Sequence, residues 1–140
     1  MKKIFICLCV IFVVAFSATT ICAADWREIG RDDTGIVSID ISSIRQYGNK
    51  FRVWMKCIYR TAKEKNKVRT ICKLHDIPEF SLDYLEFKLD EPLDKAVSYS
   101  IRSKNKVLLE CNSYENYAPI PPDSYSDIIW HLCRKHLGFE

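Results

Sequence analysis

The sequence predicts an α+β fold: an antiparallel sheet of five or six strands with one C-terminal helix packed on it, stapled by disulfides. Three observations carry this. Residues 51–59, 83–90 and 96–101 alternate apolar and polar side chains at the strand period. Residues 124–138 carry helix start and stop signals around an apolar stripe. Four cysteines remain once an export signal is set aside, an even number for an exported small domain. The apolar share of 48% excludes a disordered chain, and 140 residues leave room for one domain.

Lys2 and Lys3 precede an unbroken apolar run over residues 4–16, and Cys22-Ala23-Ala24 supplies small residues at its end. That is the layout of a secretory signal peptide, with cleavage expected after Ala24. The run of 13 residues is short of the roughly 20 that a spanning helix needs. The expected products are a signal peptide over 1–24 and a single domain over 25–140, exported to the periplasm or the outer cell surface. Contact with the membrane is expected only through the signal peptide during export. Removing Lys2 and Lys3 from the 21 basic residues leaves 19 against 18 acids. A generally cationic, nucleic-acid-binding protein is therefore not expected.

Trp26 opens the domain. Asp32-Asp33-Thr34-Gly35 reads as a turn, 36–40 as a short strand, and Asp40-Ile41-Ser42-Ser43-Ile44 as one helical turn capped by Asp40. A second turn, Tyr47-Gly48-Asn49-Lys50, leads into a strand over 51–59. Residues 68–74 read as its hairpin partner across a polar turn at 61–67. After Pro78, the strand over 83–90 turns Leu85, Phe87 and Leu89 one way and Tyr84, Glu86 and Lys88 the other. Strand 96–101 has Val97, Tyr99 and Ile101 on one face and turns at 103–106 into a strand over 107–111. Residues 112–122 form a proline-rich loop. Ser124 then starts a helix, with Asp127 placed as in a capping box. Its apolar stripe is Tyr125, Ile128, Ile129, Leu132 and Cys133, and Gly138 stops it.

Cys57, Cys72, Cys111 and Cys133 allow three pairings. In the expected hairpin, Cys57 and Cys72 share a side, which favours their pairing and leaves Cys111 with Cys133. The gaps of 15, 39 and 22 residues lack the short spacing of a zinc site, so no metal is expected.

The chain resembles the surface-adhesin protein E family of small exported bacterial proteins. The resemblance rests on Trp26, on Ile39-Asp40 with Ser42-Ser43-Ile44, and on Arg52-Val53-Trp54. It is most specific in Pro119-Ile120-Pro121-Pro122-Asp123-Ser124, which leads into a helix ending at Cys133. It implies an antiparallel sheet plus helix, a surface or periplasmic location, and adhesion to host matrix proteins.

No constellation names a reaction. His131 and His136 are five apart, about 140° round a helix, and His75-Asp76 would point to opposite sides of a strand. Neither a nucleophile elbow nor a phosphate loop or dinucleotide fingerprint is present. No enzymatic activity and no cofactor are expected. Charge is more informative. Residues 50–73 hold nine basic groups and one acid, whereas 76–94 hold seven acids and one base. Arg52, Trp54, Lys56 and Arg60 would share one face with Arg69 and Lys73, and Lys63, Lys65 and Lys67 would sit in the turn. That basic face is the candidate contact for an anionic ligand. The expected function is a non-enzymatic binding module, an adhesin contacting a host matrix protein or an acidic glycan. The alternatives are a structural or stress-related envelope protein, or a hydrolase inhibitor presenting the 112–122 loop.

Overall fold

A computed structural model describes residues 23–112 and 116–139. The expected signal peptide therefore lies almost wholly outside the described residues, as do Cys7, Cys9 and Cys22. The described chain is an antiparallel sheet with two helices, one of them C-terminal. The strands are β1 (Trp26–Arg31), β2 (Gly35–Asp40), β3 (Arg45–Tyr47), β4 (Lys50–Tyr59), β5 (Phe80–Lys88), β6 (Leu93–Ser103), β7 (Lys106–Asn112) and β8 (Ala118–Pro119). They run in the order β1-β2-β4-β5-β6-β7, with β3 beside β4 and β8 beside β6. The helices are α1 (Ala62–Ile71) and α2 (Tyr125–His136).

Alternation fixes the two faces. On β4, Phe51 and Val53 are fully buried, and their register partners Phe87 and Leu85 on β5 join them in the core. The Phe51 and Phe87 rings stack 5.0 Å apart. Ile39 on β2 and Ile120 complete the sheet side of the core, and Ile129 and Cys133 of α2 close it. Burying a side chain such as Ile129 contributes about 1.5–3 kcal/mol. Ile128, expected on the same stripe, is exposed; Trp130 packs against the core in its neighbourhood and donates its indole N–H to the Lys88 carbonyl at 2.7 Å. Both local caps form as the sequence suggests. The Asp40 carboxylate accepts from the Ser42 N–H, and the Ser124 hydroxyl accepts from the Asp127 N–H.

The hairpin does not form. Residues 62–71 are helix α1, and β4 pairs instead with β5, placing Cys57 opposite Ser81. The reason is local. Thr61 adopts an extended conformation and its hydroxyl accepts from the Glu64 N–H, starting a helix in a run of Ala, Lys and Glu, all good helix formers. The alternation over 68–74 puts only Val68, Thr70, Cys72 and Leu74 on one face, and none of them is buried. The geometric case for a Cys57–Cys72 hairpin disulfide falls with it. Cys57, Cys72, Cys111 and Cys133 are all free thiols in this structure. Two further differences concern register. A bulge on β6 leaves Val97 without a partner, between Ala96 opposite Leu85 and Ser98 opposite Tyr84. A strand at the domain start, β1, pairs along β2 with its own irregularity between Glu28 and Gly30.

Candidate functional site: the open face of the sheet

α2 covers the face that carries Phe51 and Val53. α1 follows β4 in sequence and adds no strand to the sheet. The opposite face of β4 and β5 carries Lys50, Arg52, Trp54 and Lys56 beside Lys88, Glu86, Tyr84 and Leu82. Apart from Glu86, these residues are all partly exposed.

Aromatic rings and cations alternate along this face. Trp54 and Tyr84 are register partners, and their rings stack with centroids 4.6 Å apart. The Arg52 guanidinium lies 5.3 Å from the Tyr47 ring and 5.8 Å from the Tyr84 ring. The Lys56 ammonium lies 4.3 Å from the Trp26 ring. Such contacts hold cations in place without neutralising them.

At one end lies a buried carboxylate, Glu86, only 3% exposed. Arg52 Nε donates to its Oε2 at 2.6 Å, and the Tyr117 hydroxyl donates to its Oε1. Lys50 and Lys95 approach the same Oε1 at 3.9 and 3.4 Å. Burial pushes the Glu86 pKa upward, but the bonds from Tyr117 and Arg52 outweigh it, so the carboxyl titrates below the usual range and stays ionised. Burial and the Glu86 hydrogen bond both push the Tyr117 hydroxyl upward. The Glu86 hydrogen bond raises Arg52 in turn.

Arg52, Trp54 and Lys56 share a face as the alternation of 51–59 requires. The remaining expected contacts do not join them. Arg60 is exposed at the end of β4 and donates to the Asp32 carbonyl at 3.3 Å. Lys63, Lys65, Lys67 and Arg69 sit on α1, where Lys67 pairs with Glu64 at 3.7 Å. Lys73 follows α1 in a left-handed conformation with φ 52°. They leave the face because 62–71 is helical. Conversely, Tyr84, Glu86, Lys95 and Tyr117 complete the face without having been expected there. The Tyr84-Glu86-Lys88 side of strand 83–90 was readable as outward, but its apposition to β4 depends on a pairing that the hairpin reading had already assigned elsewhere.

The described residues contain no group of three or more His, Cys, Asp or Glu placed to hold a metal ion. No described helix is long and apolar enough to cross a membrane. His131 is exposed, 3.6 Å from Asp127 on its own helix. Comparison with known proteins finds no family model, no curated protein and no solved structure that matches this chain.

Proposed function

We propose that the chain is an exported, non-enzymatic binding module whose open sheet face takes up an acidic glycan. The observation that carries this is the Trp54–Tyr84 stack, flanked along β4 by Arg52 and Lys56. A sugar ring presents C–H groups that pack on an aromatic face, while its carboxylate or sulfate groups meet the flanking cations. The buried acid on this face, Glu86, is committed to Arg52 and Tyr117. The resemblance to the surface-adhesin protein E family and the signal layout of residues 1–24 support export and adhesion. In an oxidising compartment the cysteines are expected to pair.

The test is retention of the 25–140 domain on a heparin column in a salt gradient. Trp54→Ala and Lys56→Gln should each elute at lower salt than wild type while keeping their melting temperatures within a few degrees. A wild-type protein that flows through, or one that binds a single-stranded oligonucleotide as well as heparin, would remove the glycan reading. Intact mass of exported protein with and without reduction reports the start at Asp25 and the number of disulfides.

A further inference from the structure

The cation-rich end of the open face has a feature that general glycan binding does not require. The ring of Tyr117 is surrounded by three ammonium groups: Lys95 at 4.9 Å, Lys88 at 5.3 Å and Lys50 at 5.5 Å from its centroid. They come from three adjacent strands, β4, β5 and β6, so the cluster is built by sheet register rather than by one flexible loop. Lys50 and Lys88 are direct register partners, a like-charge pair that is unfavourable by itself. Arg52 stands beside them. Among the described residues, the carboxylates within ion-pair distance of these four cations are Glu86 and, at 3.3 Å from Lys88, Glu91. Four cations against these two carboxylates leave two positive charges among the described residues.

Glu86 cannot absorb that surplus. Its oxygens are occupied by Arg52 and Tyr117, and its buried setting keeps it as a single negative charge. The lysines are 28–41% exposed along their side chains, so their ammonium groups reach solvent. Each ammonium carries three donors, of which an ion pair to Glu86 or Glu91 uses at most one or two. Ammonium groups from three strands therefore gather round one ring, each with donors to spare.

We propose that Lys50, Lys88 and Lys95, gathered round Tyr117, form a discrete seat for one doubly charged oxyanion, a phosphate monoester carried on the bound ligand. The inference rests on the reading of this face as an anion-binding surface and names the group recognised at one end of it. A phosphate monoester carries about −1.5 to −2 at pH 7 and offers three acceptor oxygens, matching the surplus charge and the three lysines. A sulfate ester has one negative charge and leaves the surplus half satisfied.

The experiment is an NMR titration of the wild-type domain with methyl phosphate and with methyl sulfate at pH 7.5, in low salt. Methyl phosphate should shift the backbone resonances of Lys50, Lys88, Lys95 and Tyr117 and bind about tenfold more tightly than methyl sulfate. Equal affinities, or shifts confined to other residues, overturn the seat, and this comparison needs no variant. Lys88→Gln with Lys95→Gln should weaken methyl phosphate binding at least tenfold; Lys88→Gln alone serves if the double variant is unstable. Unchanged binding in a folded variant again overturns it. Heparin retention separates the two levels. A protein that is retained on heparin but ignores methyl phosphate keeps the glycan reading and loses the seat. One that binds methyl phosphate through these lysines but not heparin keeps the seat and loses the glycan.

Discussion

Glu86 is the residue on which the open face turns. An ionised carboxylate with 3% exposure is costly unless its partners are in place, and here Arg52 and Tyr117 supply charge-assisted bonds. Glu86→Gln should lose on the order of 2 kcal/mol at neutral pH, because bonds to a charged group are replaced by weaker neutral ones. The pH dependence has a definite sign. The folded-state pKa of Glu86 lies below its ordinary value of 4.5, so its stabilisation is complete above that value and is lost as pH falls through the folded value. Asp32 acts in the same direction from 3.8 down to about 2, chiefly through hydrogen bonds from Thr34 and Gly35. Asp83 acts in the opposite direction: burial raises its pKa, so its ionisation costs stability as pH rises past 3.8. Melting temperatures measured from pH 6 to pH 2 should fall in wild type below about pH 4.5, and the fall should be shallower in Glu86→Gln. Parallel curves for the two proteins would show that Glu86 is not the linked group.

The strands and helices divide into those written locally and those decided by distant partners. The C-terminal helix was legible because its signals are adjacent in sequence: Ser124 and Asp127 at the cap, Ile129 and Cys133 on the stripe. That Tyr84, Glu86 and Lys88 share the face opposite Leu85 and Phe87 was legible for the same reason. α1 was not, because none of its residues is buried, and a helix without a core-facing stripe leaves no clear 3.6-residue apolar period. Its short alternation at 68–74 read as strand, and that one error displaced the partner of β4 from 80–88. β1 was missed because the irregularity between Glu28 and Gly30 interrupts its alternation. Two substitutions separate the faces. Ile129→Ala removes a fully buried side chain and should cost about 2–5 kcal/mol in denaturant unfolding. Trp54→Ala, from the half-exposed face, should cost clearly less; an equal loss would mean that the open face is covered. For α1, Thr61→Ala should cost about 1 kcal/mol, read as faster amide exchange confined to residues 62–71.

Taken together, the charges fall into two groups that the sequence merged into one. The run of nine basic groups over 50–73 is divided by the fold: Lys50, Arg52 and Lys56 stand on the open face of β4, Lys63, Lys65, Lys67 and Arg69 sit on α1, and Arg60 and Lys73 lie just outside those elements. Net charge alone cannot tell these groups apart, but salt can. At low ionic strength every lysine attracts a polyanion. Above about 0.15 M the Debye length drops below roughly 8 Å, and only charges in direct contact still count. Reversing Lys63, Lys65 and Lys67 to Glu changes the charge by six units, yet these residues are not on the proposed contact face. Lys50→Gln with Lys56→Gln removes only two units, but from that face. Neither set should move the melting temperature by more than a few degrees, since exposed charges contribute little to stability. On heparin, the α1 triple variant should elute close to wild type whenever elution occurs above 0.15 M salt, despite its larger charge change. The double variant should elute markedly earlier. The reverse order would move the contact to α1 and make the stacked Trp54 and Tyr84 a structural feature of the sheet.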